Sequence, residues 1–205
     1  MKISYAITVC NELDEIKRLL ETLLKYKRNE DEIVILYDSH GSSDVWQYLV
    51  KMRGTYHSLV SENFHGDFAK WKNELNSYCN GDYIFQIDAD EYPHETLIES
   101  LPAILNSNPE VDLFLIPRVN LVSGITDEYI QKWNWNQNEQ GWINFPDYQT
   151  RLYKNSNSIY WHGKVHERII GAMKYSNLPP SEEYSLFHPK TIDRQIKQNE
   201  YYDTL

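Results

Sequence analysis

The chain has 205 residues, 41% of them hydrophobic, with 30 acidic against 20 basic side chains and a formal charge of −10. That length supports one domain with a real core, and the acidic balance excludes the basic stripe that a nucleic-acid surface requires. No apolar run reaches the eighteen residues of a membrane span, and the two cysteines, Cys10 and Cys79, are too few for a disulfide framework.

Residues 2–10 read as a buried first strand, with Ile3, Tyr5, Ile7 and Val9 alternating. The strand begins at once, without the long apolar stretch of a secretory signal, so a cytoplasmic protein with reduced thiols is expected. Asn11 is placed as a helix N-cap, with Asp14 in the capping-box position, ahead of the stripe Leu13, Ile16, Leu19, Leu20, Leu23 and Leu24. Residues 33–37 form a short apolar run of the kind covered on both faces. A turn over residues 38–43 follows, and Ser43 or Asp44 caps a helix carrying Val45, Trp46, Leu49 and Met52. A third strand is expected over residues 55–60, a helix over 67–80 and a fourth strand over 83–88. Strand and helix therefore alternate, which predicts a mostly parallel sheet flanked by helices, with ligands beyond the carboxyl ends of its strands.

After Pro93 the pattern loosens. Residues 95–106 are helical in period, with Pro102 expected to kink the helix or start a new one. A strand is expected over 111–119, further strands over 148–154 and 160–170, and a closing helix over 193–202. Residues 126–146 have no clean period and hold Trp133, Trp135 and Trp142. Such a stretch either lines a groove for a sugar face or forms a small satellite core.

The fourth strand ends in Asp88-Ala89-Asp90-Glu91. Burying three unpaired carboxylates is costly, so these groups should face water or a cation. Residues two apart share a face of a strand, which brings Asp88 and Asp90 towards one point, and hard oxygens at one point suit Mg or Mn. A chain this acidic can bind a phosphorylated ligand only where positive charge is supplied locally.

Taken together, these segments resemble family 2 glycosyltransferases of the GT-A fold. The resemblance is carried by Ile7-Thr8-Val9-Cys10-Asn11-Glu12 with its helix, by Glu32 to Asp38 with the Ser42-Ser43-Asp44 turn, and by Phe68 to Asn73. It continues in Gly81 to Glu91, Arg151-Leu152-Tyr153 and Val165-His166-Glu167, and the later segments look most like the bacterial branch related to lipopolysaccharide-core glucosyltransferases. The resemblance implies a single GT-A domain over residues 1–205. Residues 1–92 would be its nucleotide-sugar-binding half and 93–205 its acceptor-side half, around a Rossmann-like, mostly parallel sheet with a small C-terminal acceptor-side region. It implies that Thr8, Cys10 and Glu12 lie along a nucleoside and that Asp38 accepts a hydrogen bond from the base, typically uracil. Cys10 stands where the family usually has Tyr. Lys72 stands where the family has Arg before Asn73, keeping the charge and losing the bidentate fork. Asp88 would meet the ribose or assist the metal, Asp90 would ligate Mn or Mg, and His188 would be a second ligand. The expected activity is transfer of a sugar, a hexose, from a UDP-sugar to a carbohydrate or glycoconjugate acceptor, with inversion.

For the base that deprotonates the acceptor, strand alternation puts Glu167 on one side with Val165 and Ile169, and a carboxylate there needs a partner or a raised pKa. Asp147 is the second candidate. Glu167 could instead simply pair with Arg151 or Arg168. His162 and His166, four apart, read as strand neighbours of Gly163 rather than as a helical zinc pair. A nucleotidyltransferase would carry a glycine- and lysine-rich loop after the first strand, which Cys10-Asn11-Glu12-Leu13 does not. A nucleotide-sugar-binding module without transfer activity is the alternative reading.

Overall fold

In the computed structural model, which describes the backbone of residues 1–202 and side chains as far as Asn199, strands and helices alternate through the first half. They are β1 (Ile3–Val9), α1 (Leu13–Tyr26), β2 (Glu32–Asp38), α2 (Ser43–Lys51), β3 (Ser58–Glu62), α3 (Phe68–Ser77) and β4 (Tyr83–Asp88). The second half continues with β5 (Tyr92–Pro93), α4 (Glu95–Ser107), β6 (Leu113–Ile116), β7 (Arg118–Ser123), α5 (Asp127–Lys132) and β8 (Gln149–Lys154). It closes with β9 (Tyr160–His162), β10 (Arg168–Ile170), β11 (Tyr175–Asn177), a 3-10 turn (Glu182–Tyr184), β12 (Leu186–Thr191) and α6 (Ile192–Tyr202).

The main sheet runs β11-β6-β8-β4-β1-β2-β3. β4 lies at its centre beside β1, which is parallel to both β2 and β4, and only β8 runs against its neighbours. This is the mostly parallel, helix-flanked α/β architecture that the alternation predicts. The reason is visible in β1 and β2, where nearly every residue is buried, as a strand covered on both faces requires. α1 packs Ile16, Leu19, Leu20 and Leu23 fully out of solvent, each contributing about 2 kcal/mol of transfer free energy. A second, three-stranded sheet, β5-β12-β7, lies at the carboxyl end of β4 and returns the last strand beside it. Among the described residues no helix is long and apolar enough to cross a membrane.

Several local expectations are corrected. The N-cap of α1 is Glu12 rather than Asn11, because the Glu12 carboxylate turns back to accept from the amides of Cys10 (2.8 Å) and Asn11 (2.9 Å). α2 is preceded by Ser42, one residue earlier than expected. The third strand lies over Ser58–Glu62, since Thr55 is held in a turn by its hydroxyl and amide bonds to the Met52 carbonyl. α4 runs through Pro102 unbroken, held by its buried face of Leu97, Ile98, Leu101 and Leu105. The strand expected over 111–119 is two strands that part at Pro117, which has no amide to give to a ladder. The strand expected over 160–170 is a hairpin, β9 against β10. Gly163 (φ +101°) and His166 (φ +54°) adopt left-handed backbone and fold residues 163–167 into a loop. The irregular stretch 126–146 contains one short helix, α5, and its tail is tied to β7 where Ile143 bridges Asn120.

Candidate active site

The carboxyl ends of β1, β2 and β4 open into a crevice of about 670 Å³. Thr8, Cys10, Glu12, Asp38, Lys72, Asp88, Asp90 and Glu167 all line it. A second cavity of about 440 Å³ holds Asp147 and His188 and shares Asp88 and Asp90 with the first. Every residue given a nucleotide, metal or base role from the sequence therefore faces one of two adjoining cavities.

At the β1–β2 end, the Asp38 carboxylate accepts from the amides of His40 (3.1 Å) and Phe64 (3.3 Å) and from the Cys10 thiol (3.6 Å). Burial, with Asp38 beside it, pushes the Cys10 thiol up to about 12, so it remains a donor to that carboxylate. The turn after β2 must carry glycine at position 41: a Cβ there would lie 2.3 Å from the Cys10 carbonyl oxygen. Phe64 packs on Phe68 and Trp71, with ring centroids 4.8 and 5.7 Å away, and forms the aromatic side of the crevice.

Across the crevice, α3 delivers Lys72, which is buried although charged. Its ammonium meets the Glu167 carboxylate at 2.6 Å, stands 3.9 Å from Asp88 and lies 4.4 Å from the ring centroid of Trp161. The loop between β9 and β10, rather than strand alternation, brings Glu167 there. Asn73 fixes that hairpin to α3 by exchanging two hydrogen bonds with the Trp161 backbone, at 2.8 and 2.9 Å. Glu167 is thus paired with Lys72, and neither Arg151 nor Arg168 takes it.

Arg151, on antiparallel β8, explains how the three carboxylates after β4 are tolerated. Its guanidinium pairs with Asp88, bonds Glu91 at 2.8 Å and reaches Gln86 at 3.1 Å. Arg118 takes Glu91 from the other side at 2.9 Å. Burial alone would raise the Asp88 carboxyl, but Arg151 and Lys72 outweigh it and hold Asp88 well below the usual carboxylate range. Glu91 is fully buried between the two arginines and braces the loop.

Asp90 and His188 come together, with Oδ2 and Nε2 3.2 Å apart. The Asn120 amide nitrogen is taken by Asp147 at 2.8 Å, which turns its oxygen towards His188 Nδ1 at 2.9 Å. Nδ1 therefore carries the proton. Burial lowers the imidazole pKa while Asp90 raises it. With Nδ1–H given to Asn120, the Nε2–Asp90 contact is a hydrogen bond only when Nε2 is protonated as well, and the neutral ring leaves an Nε2 lone pair for a cation held between it and the carboxylate. Burial also opposes ionisation of Asp90, but the contacts with His188 and the Arg194 guanidinium (3.3 Å) hold it near 2. One carboxylate oxygen and one imidazole lone pair converging on a point, with Asn120 fixing the tautomer behind them, are a donor set that fits a divalent cation. Among the described residues no group of three or more such ligands converges.

Asp147 is heavily engaged, accepting from Arg118 (2.9 and 2.6 Å), Asn120 (2.8 Å) and Gln149 (2.9 Å). Burial would raise its carboxyl, but Arg118 and these amides hold it low. Of the three tryptophans, Trp135 lines the second cavity, Trp133 packs on Trp135 and Tyr129, and Trp142 packs edge-on against Phe145. Sequence reasoning missed Arg118, Arg194, Asn120 and Trp161. A buried arginine two residues into a strand, as in Arg151-Leu152-Tyr153, is the one local signal that was available.

The family model described as glycosyl transferase family 2 matches residues 4–170. The fold is similar to that of S. aureus TarS 1-349, at 18% identity and a TM-score of 0.67, covering 92% of this chain and 60% of that one. The same protein in complex with UDP gives 18% identity and a TM-score of 0.68, covering 92% and 60%. Its complex with UDP-GlcNAc gives 18% and 0.67, covering 93% and 59%. This chain thus spans about 60% of the length of the TarS 1-349 chains it resembles.

Proposed function

The chain belongs to glycosyl transferase family 2, and from that premise we propose that it moves a hexose from a UDP-sugar to a carbohydrate or glycoconjugate acceptor, with inversion and with Mn or Mg. The observation that carries this reading is one crevice. Asp38 at the end of β2, and Asp88 and Asp90 at and just after the end of β4, flank the end of β1 and stand opposite a buried Lys72 and Glu167. The uridine donor is taken from the likeness to chains solved with UDP and UDP-GlcNAc.

In this reading Thr8, Cys10 and Glu12 flank the nucleoside, Asp38 accepts from the uracil and Asp88 lies towards the ribose. Asp90 and His188 would hold the cation, which neutralises charge developing on the departing diphosphate. Among the described residues Lys72 is the one ammonium in the crevice wall, and it meets the diphosphate as a point charge. Glu167 takes the proton of the acceptor hydroxyl. Asp147 suits that task less well, because its carboxylate already accepts four hydrogen bonds and is held ionised by Arg118. Its position behind Asn120 instead sets the His188 tautomer. Without donor, Lys72 holds Glu167 at 2.6 Å, and a diphosphate competes for that same ammonium.

A binder without transfer activity is the second reading, favoured by the same ion pair, since a carboxylate committed to an ammonium is a weak base. Calorimetric titration with UDP tests the donor site: binding should tighten with Mn and lose that dependence in Asp90→Ala. UDP release from UDP-sugars separates the two readings. Turnover that never exceeds the rate without protein, while UDP still binds, would leave only the binder.

A further inference from the structure

The second cavity has a charge pattern that the donor chemistry does not use. It meets the donor crevice at Asp88 and Asp90, so a ligand in it would lie beside the donor. Asn120, Asn144, Gln195 and the ring of Trp135 contribute to its wall. Amides and an indole face are the groups that meet sugar hydroxyls and C–H surfaces.

Against this neutral lining stand two cations, Arg118 and Lys190. Arg118 is matched, by Glu91 at 2.9 Å and Asp147 at 2.6 Å. Of the carboxylates that line both cavities, Asp88 pairs with Arg151, and Asp90 shares Arg194 with Glu15 and Glu12. Lys190 differs. On β12 and half-buried, it donates to the Gln198 side-chain oxygen at 2.6 Å, and among the described residues it forms no ion pair. An ammonium has three donors, and an amide oxygen answers one of them without answering the charge. Asp90 and Glu91 attract Lys190 from beyond ion-pair distance, and a ligand anion in direct contact would answer its charge better.

We propose that the second cavity is the acceptor pocket and takes a sugar bearing an acidic group, a carboxylate or a phosphate, seated on Lys190. This deepens the donor-site reading and rests on it for the identity of the neighbouring crevice. Position 190 then acts in specificity: it selects charged acceptors and places their hydroxyl towards Asp90 and the donor.

The test is a titration of the full chain, ¹⁵N-labelled and followed by NMR, with glucuronate, glucose 6-phosphate and glucose, each with and without UDP. At least one acidic sugar should bind about tenfold tighter than glucose, the scale of one charge-assisted contact, with shifts centred on Lys190 and Gln198. The tighter of the two names the acidic group. In Lys190→Gln the ratio of affinities should fall to about one, while Lys190→Arg should keep it. Equal affinity for all three sugars in the wild type would overturn the proposal. So would a preference that survives in Lys190→Gln, or shifts centred on Lys72. Those results would leave Lys190 as a tie between β12 and α6. If Lys190→Gln fails to fold, the wild-type ratio and the Lys190→Arg titration still decide. UDP binding is read separately in the same samples. Its absence beside a retained preference for acidic sugars would count against the donor site and not against the pocket.

Discussion

Two acidic clusters sit at opposite ends of the same parallel sheet. At the amino ends of the strands, Asp31 and Glu32 are as buried as Glu91 at the carboxyl end. Asp31 accepts from the Ile3 amide (2.8 Å) and from Arg28 (2.7 and 2.9 Å), and Glu32 from Lys2, the Ser4 hydroxyl (2.6 Å) and the Asn80 amide. Neither lines the crevice or the second cavity. At the other end, Asp88 and Asp90 are neutralised by side chains that leave them facing open space. Buried acidity alone is therefore no sign of function. The distinguishing features are the cavity and the origin of the counter-charge. Asp31 and Glu32 are answered from the first eighty residues, Asp88 and Asp90 mainly from Arg151, His188 and Arg194.

That contrast can be broken from either end. Arg151→Met should have the largest effect, because it leaves Asp88 and Glu91 buried beside too little positive charge. A loss of about 3–5 kcal/mol is expected in urea unfolding, and a loss below 1 kcal/mol would mean the network is not what tolerates the acidic triplet. Glu167→Gln should lower UDP release from a UDP-sugar by about 10²- to 10⁴-fold with little change in unfolding midpoint. A merely structural partner of Lys72 would give the opposite result, lost stability with turnover kept. Glu32→Gln should cost about 1–3 kcal/mol of stability while UDP affinity, measured calorimetrically, stays unchanged. Altered UDP affinity there would erase the distinction between the two ends.

The smallest effect is in the pH dependence. The carboxyls of both Asp88 and Glu32 are lowered on folding: burial opposes this, while Arg151 and Lys72, or Lys2 and Ser4, prevail. A lowered folded pKa contributes stability above the ordinary carboxylate range of about 4, lost as pH falls through the folded value. Urea midpoints from pH 7 to pH 3 should therefore fall at the acid end, and less steeply in Asp88→Asn. Parallel curves for the two proteins would show that Asp88 does not contribute.

Much of the first half was legible because its signals are local. Alternation in Ile3–Val9, the apolar run of β2 and the leucine stripe of α1 each state their own burial, and together they place Cys10, Asp38 and Asp88 at one sheet edge. The second half was less legible. Pro117 divides one expected strand, and left-handed backbone at Gly163 and His166 folds another into a hairpin. Glu167 therefore reaches the crevice, though by a loop and not by the alternation that suggested it.

The sequence by itself determined the alternating α/β architecture, the family and the gathering of Cys10, Asp38, Asp88 and Asp90 at one sheet edge, because side-chain periodicity and strand ends are set by near neighbours along the chain. Tertiary structure alone decided their partners: Lys72 with Glu167, Arg151 with Asp88 and Glu91, Asn120 behind His188. Those pairings join residues 60 to 95 positions apart. Electrostatic matching across that distance depends on which strands the fold lays side by side, and no local pattern records it. The same holds for Lys190, which among the described residues meets an amide and no carboxylate, a fact that only the packing of β12 against α6 reveals.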